Sequence, residues 1–204
     1  KRDTATLQET ALGILHKEKA RRWLELSAFL SCFDNEYTLL DRIVYEELIQ
    51  PRNFRAIGLA RFEKIGDYQG SSLLQSEEAL RASARILKRD AEKNNLIYKE
   101  LRCSPWNYTE ILTAREVVEI LWDELKDHSC CFRLVIIGSR HRSEEALRKH
   151  VELCLDLKRE GGELAGFICG FDLAGSEGIV DTAKLRETIQ PLLEACTKIT
   201  IHAG

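Results

Sequence analysis

Four short apolar runs, rich in β-branched side chains, punctuate the second half of the chain: Leu96–Leu101, Phe132–Ile137, Gly166–Phe171 and Lys198–Ile201. Between them, apolar positions recur every three or four residues, the period of a helix with one buried face. The runs start about 34 residues apart, the length of a strand plus a crossover helix. The pattern predicts parallel strands joined by helices. Thr113, with Glu116 three residues on, predicts a capping box that opens a helix over 114–126. Ser143 opens a second helix over 144–158, with Ala146 in the box position. Its apolar face is Leu147, Val151, Cys154, Leu155 and Leu157, and Gly161-Gly162 ends it. Asp181 or Thr182 opens a third over 183–196, with Leu185, Ile189, Leu192 and Leu193 facing inward.

The first 95 residues carry no comparable strand. Helical periodicity runs over about 4–31, 37–50 and 72–94, broken at Pro51-Arg52-Asn53 and from Gly66 to Ser72. This divides the chain into a helical lead-in or insertion, 1–54, and a βα-repeating part, 55–204. Regular βα units build either a barrel or an open doubly wound sheet. Every strand end is polar and no Gly-rich phosphate loop follows the first strand, which favours the barrel. The expected fold class is α/β: a portion of a TIM-type (β/α)8 barrel, about four parallel strands, after a helix-rich segment.

At 204 residues and 44% hydrophobic content the chain can bury one sizeable core. A net charge of −3 leaves no electrostatic footprint for nucleic acid. No apolar run approaches the roughly 20 residues that span a bilayer, and no charged-then-apolar leader is present. The expectation is a cytoplasmic protein with neither nucleic acid nor membrane as partner; an oligomer is compatible with the sequence, which does not set its order. Among seven cysteines, Cys103, Cys154, Cys169 and Cys196 fall in apolar segments, where Cys acts as a small buried hydrophobe. Cys130-Cys131 has no second spaced pair for a zinc ribbon, so reduced thiols are expected. The chain lacks Met and begins at Lys1, which reads as part of a longer protein.

Each strand run ends in a polar cluster. These are Glu100-Leu101-Arg102-Cys103-Ser104-Pro105, Gly138-Ser139-Arg140-His141-Arg142, Asp172-Leu173-Ala174-Gly175-Ser176-Glu177, and His202 before Ala203-Gly204. In a parallel barrel such clusters converge on the C-terminal rim, where chemistry sits. Arg102 and Asp172 read as an ion pair in the barrel mouth, because buried charges need partners. Arg140-His141-Arg142 reads as solvated or helix-capping, with phosphate binding as the alternative. Strand alternation groups His202 with Thr200, apart from Ile199 and Ile201. A lone strand-end His is more often a satisfied polar residue than a metal ligand.

Taken in order, five segments resemble the adenosine deaminase family of metal-dependent hydrolases, over about residues 55–204. Leu59-Ala60-Arg61-Phe62-Glu63-Lys64-Ile65 is similar to the helix that roofs the purine pocket. Tyr98 to Pro105 resembles the family's E-x-R-x-S-P strand, and Ser139-Arg140-His141 its R-H strand end. Gly170 to Gly175 followed by Glu177, then His202-Ala203-Gly204, resemble G-x-D-L-A-G-x-E and H-A-G-E. The resemblance implies hydrolytic deamination of adenine at C6, with zinc as cofactor and a purine nucleoside or nucleotide as substrate. It makes His202 a zinc ligand, gives Gly175 a backbone N–H for the purine, and places Leu59 and Phe62 in the apolar lid. Asp172, Glu177, Arg102, Ser104, Arg140 and His141 become supporting residues of the rim. The family's H-x-H is absent from the chain, Ser176 stands where Asp is common, and Trp106 follows the S-P. The segment alone is therefore expected to be inactive, part of a longer deaminase. Two readings stand beside it: a nucleotide deaminase of antiviral defence, with phosphate read by Arg140 or Arg142, and a deaminase-like scaffold without catalysis.

Overall fold

Helix α1, Glu77–Lys93, opens where Ser76 accepts the Ala79 N–H and two glutamates occupy the first turn, against the positive end of the helix dipole. Its Leu80, Ala84 and Ala91 are buried. This is the first full element of a computed structural model that describes residues 74–140, 143–175 and 181–202, with 38 and 71 singly. The chain separates into two compact units, Lys1–Leu73 and Leu74–Gly204, and every element below belongs to the second. The helices expected over 4–31 and 37–50, and the boundary at 54, lie outside the described residues.

Strand β1 (Tyr98–Cys103), a 3₁₀ turn (Pro105–Tyr108), α2 (Ala114–Leu125), β2 (Cys131–Ser139), α3 (Glu144–Glu160), a short α4 (Gly162–Phe167), β3 (Ile168–Ala174), α5 (Thr182–Glu194) and β4 (Ile199–Ile201) follow. The four strands form one sheet in the order β1-β2-β3-β4, and every pairing is parallel. This is the alternating βα pattern of a (β/α)8 barrel over part of its circumference. One face of the sheet carries Phe132, Leu134, Ile136, Phe171 and Leu173 into a core shared with Leu80, Val117, Leu121, Leu147, Val151 and Cys154 of the helices. Packing there is close. A Cβ on Gly138 would meet Phe171 Cζ at 2.3 Å and Leu147 Cδ1 at 2.7 Å, so β2 needs a glycine where α3 and β3 crowd it.

The capping box at Thr113 and Glu116 forms, with the Thr113 N–H donating to Glu116 Oε2 at 2.7 Å and the Glu116 N–H to Thr113 Oγ1 at 3.2 Å. Ser143 caps α3 through the Ala146 N–H, and Asp181, rather than Thr182, caps α5. Strands β1 and β3, however, sit further along the chain than their apolar runs, and β2 extends past its run at both ends. Asn95 takes a positive φ of 52°, so Leu96 and Ile97 still belong to the turn after α1. Gly161 and Gly162, at φ 71° and 75°, turn the chain into α4, which consumes Gly166 and Phe167 before β3 begins. At the other end, the ladder runs on through Asp172, Leu173 and Ala174. Three inward assignments also change. Leu193 is 51% exposed because the buried stripe of α5 follows Leu185, Ile189 and Leu192, leaving Leu193 a step round the helix. Cys196 lies past the helix end at φ 51° and is exposed, and Cys169 is half-buried rather than core.

Candidate active site at the strand ends

Asp172 sits inside β3, paired in register with Ile137 and Thr200, and is fully buried. A carboxylate there is costly unless donors surround it. Three do. The Thr200 hydroxyl donates to Oδ1 at 2.6 Å, His202 Nδ1 lies 2.7 Å from Oδ2, and Arg102 Nη1 lies 3.4 Å from the same oxygen. The expected Arg102–Asp172 ion pair therefore exists, but the shorter contacts come from β4. Thr200 and His202 share a face by strand alternation, and both point their polar atoms at Asp172.

The Nδ1 contact sets the chemistry of His202. A carboxylate accepts, so in the neutral ring Nδ1 carries the proton and Nε2 keeps its lone pair. An imidazole oriented through Nδ1 by a buried carboxylate is the arrangement that holds a metal-ligating His in place. The residues present thus fit one zinc ligand: a half-exposed His202 offering Nε2. Among the described residues no group of three His, Cys, Asp or Glu side chains is close enough to enclose an ion.

Gly175 follows β3 at φ 96°, a backbone conformation that excludes most side chains. Its carbonyl accepts from Arg140 Nε at 2.7 Å. Arg140 is buried, and Nη2 also donates to the His202 carbonyl at 2.8 Å. The solvated or helix-capping reading of Arg140 is thereby corrected: its Nε and Nη2 donate to main-chain carbonyls of the rim.

Ser104 turns away from this group. Its hydroxyl lies 3.0 Å from His150 Nε2, and His150 Nδ1 lies 2.7 Å from the Ala146 carbonyl. The carbonyl requires a proton on Nδ1, so in the neutral ring Nε2 accepts from Ser104. The pair ties the end of β1 to α3, with Trp106 edge-on to the imidazole. Sequence reasoning missed His150 and the role of Thr200. The signals were there: His150 lies on the inward stripe with Leu147, Val151 and Cys154, and Thr200 is two residues before His202 on a strand. Leu59, Phe62, His141 and Glu177 lie outside the described residues.

Burial pushes Cys103 up to about 12 and Cys154 up to about 11, so both are neutral at pH 7. Burial first, then Glu100, raises Cys169. The six described cysteines are free. No helix among the described residues is long and apolar enough to cross a membrane.

The chain as a whole is similar to known proteins. The adenosine deaminase family profile covers residues 43–204. The chain belongs to the adenosine deaminase family. An adenosine deaminase of Streptococcus agalactiae is 32% identical over 158 residues, which is 72% of this chain and 45% of that protein. One from Enterococcus faecalis is 29% identical over 136 residues, 64% of this chain and 39% of that protein. Among solved structures, arabidopsis N6-mAMP deaminase MAPDA gives a TM-score of 0.62 at 19% identity, covering 98% of this chain and 54% of that one. Arabidopsis ADAL complexed with IMP gives 0.60 at 18% identity, covering 99% and 54%. These likenesses show the barrel fold, and the chain spans about half the length of the relatives it matches.

Proposed function

We propose that the protein carrying this chain is a zinc-dependent hydrolase that deaminates adenosine or a related adenine nucleoside or nucleotide. The observation that supports this best is the single constellation of His202, Asp172 and Gly175 on one rim, within a chain of this family. His202 would hold zinc through Nε2. Bound zinc supplies a water whose pKa is lowered to near neutrality. The protein's own work is positioning. Asp172 keeps the proton on His202 Nδ1, Thr200 fixes the carboxylate, and Arg102 offsets its charge. Gly175 lets the main chain approach the purine; for Leu59, Phe62, Glu177 and His141 the roles are those the family resemblance implies.

The substrate proposal rests on names and ligands of relatives. The S. agalactiae and E. faecalis relatives are adenosine deaminases, and the arabidopsis ADAL structures contain IMP and GMP. Adenosine and its 5′-monophosphate are therefore the first substrates to assay, with ammonia release as the readout. In the full-length protein we expect stoichiometric zinc and turnover of one of the two. His202→Ala should lose zinc while keeping its circular dichroism spectrum, and residues 1–204 alone should not turn over. A folded His202→Ala protein with full zinc would remove His202 from the ligand set. A full-length protein with neither zinc nor turnover would favour the scaffold reading instead.

A further inference from the structure

Among the described residues, three hydrogen bonds from Arg140 join three strand ends. Its N–H donates to the Ala174 carbonyl at 2.8 Å, extending the β2–β3 ladder by one bond. Its side chain then passes over the end of β3. Nε reaches the Gly175 carbonyl at 2.7 Å and Nη2 the His202 carbonyl at 2.8 Å. Since β2 and β4 are not neighbours in the sheet, this side chain links strands the ladder does not. The backbone of His202 is also held from β3, its N–H donating to the Leu173 carbonyl at 2.9 Å.

A guanidinium is planar, and its N–H directions are fixed relative to one another. Two carbonyls that accept from one guanidinium therefore cannot change separation independently. One carbonyl belongs to Gly175, which follows β3 at a φ of 96° that favours glycine. The other belongs to the residue that offers Nε2. We propose that Arg140 is a positioning residue that couples substrate binding at Gly175 to metal retention at His202, by holding both carbonyls on one rigid fork. This rests on the deaminase reading above. It also assigns the Nε and Nη2 donors of Arg140 to the main chain rather than to a substrate phosphate.

The test uses the full-length, zinc-loaded protein with Arg140→Ala and Arg140→Lys. Zinc dissociation is measured by chelator competition, and KM and kcat are measured on the substrate identified for the wild type. Arg140→Ala should weaken zinc about tenfold or more and raise KM about tenfold or more, together. Arg140→Lys, a point donor without the fork, should recover less than millimolar guanidinium added to the Ala variant does. If Arg140→Ala lowers only the melting temperature, with zinc affinity and KM of the folded protein unchanged, the proposal is overturned. It is equally overturned if KM moves and zinc affinity does not. Should the Ala variant fail to fold, Arg140→Gln keeps a planar group with one donating amide. A zinc affinity and KM both within twofold of wild type in that variant overturn the coupling. A wild type that takes up no zinc removes the deaminase reading itself; a zinc-loaded wild type with unchanged variants removes only the coupling.

Discussion

Asp172→Asn in the full-length protein removes one negative charge while keeping shape and size. The wild-type carboxylate accepts from Thr200 at 2.6 Å and His202 at 2.7 Å, with Arg102 at 3.4 Å, and has no exposure to water. Asn can still satisfy both near neighbours: its oxygen accepts from His202 Nδ1, and its amide donates to Thr200 once that hydroxyl rotates. The fold should therefore survive. Arg102 is about half exposed, so the lost ion pair costs at most about 1 kcal/mol, a few degrees in melting temperature. The imidazole loses more. A hydrogen bond to a charged acceptor is roughly twice as strong as one to a neutral acceptor, and it makes Nε2 more electron-rich. Replacing such a partner of a metal-ligating His costs about 10–100-fold in metal affinity, or about 1.4–2.8 kcal/mol.

The assay is chelator competition for zinc beside thermal melting, on Asp172→Asn, Thr200→Val and the double variant. Thr200→Val removes a donor to a buried charge, a cost of about 1–3 kcal/mol in stability. Because both variants act on one hydrogen-bonded group, their effects should not add: the double variant should differ from the sum by more than about 0.5 kcal/mol. Unchanged zinc affinity in a folded Asp172→Asn protein would refute the orienting role of Asp172. Strict additivity would refute the idea that Thr200 acts through it.

Two further outcomes follow from single residues. Gly175→Val forces a branched side chain into φ 96°, so KM should rise and kcat fall by tenfold or more in steady-state kinetics; wild-type kinetics in a folded variant would take Gly175 out of the pocket. Cys103 has its folded pKa raised from 9.0 to about 12 by burial, so the unfolded thiol ionises first as pH rises. Stability from this group is complete below about pH 9 and falls toward pH 12, by up to about 1.4 kcal/mol per pH unit. Urea midpoints should show a shallower alkaline decline in Cys103→Ala, and an identical decline would mean the thiol is not the titrating group.

Much of the fold was readable because it depends on local rules. The capping residues at Thr113, Ser143 and Asp181 act within one helical turn, and the apolar runs recur at the length of a βα unit. Strand limits were less readable because tertiary pairing sets them. Asp172 reads as a loop residue after an apolar run, yet it lies within a strand paired on both sides, since Thr200, His202 and Arg102 make its burial tolerable. The apolar Leu96 and Ile97 read as strand, yet the turn at Asn95 leaves them outside it. Arg102, Arg140, Asp172 and His202 do meet at the strand ends, but beyond the Arg102–Asp172 pair, which partner each takes was not legible. Nothing along the chain says that Ser104 bonds His150 in α3, or that Arg140 donates to the carbonyls of Gly175 and His202.

The two arginines suggest why this rim holds its register. Arg102 reaches from β1 past β2 to Asp172 on β3, and Arg140 reaches from β2 past β3 to His202 on β4. Each spans one intervening strand, and together they tie all four. A one-residue slip of β3 would turn Asp172 toward the apolar helices and Leu173 toward Thr200 and His202. The slipped state would bury a carboxylate without its donors and leave Arg102 unpaired, a penalty of several kcal/mol. The same slip takes Phe171 and Leu173 out of the helix-facing core, so the apolar face and the polar rim select one register together. The residues that make the site chemically competent are thus also among those that discriminate the correct strand alignment from its neighbours, and for that reason changes to them should be read for zinc affinity and for folding in the same experiment.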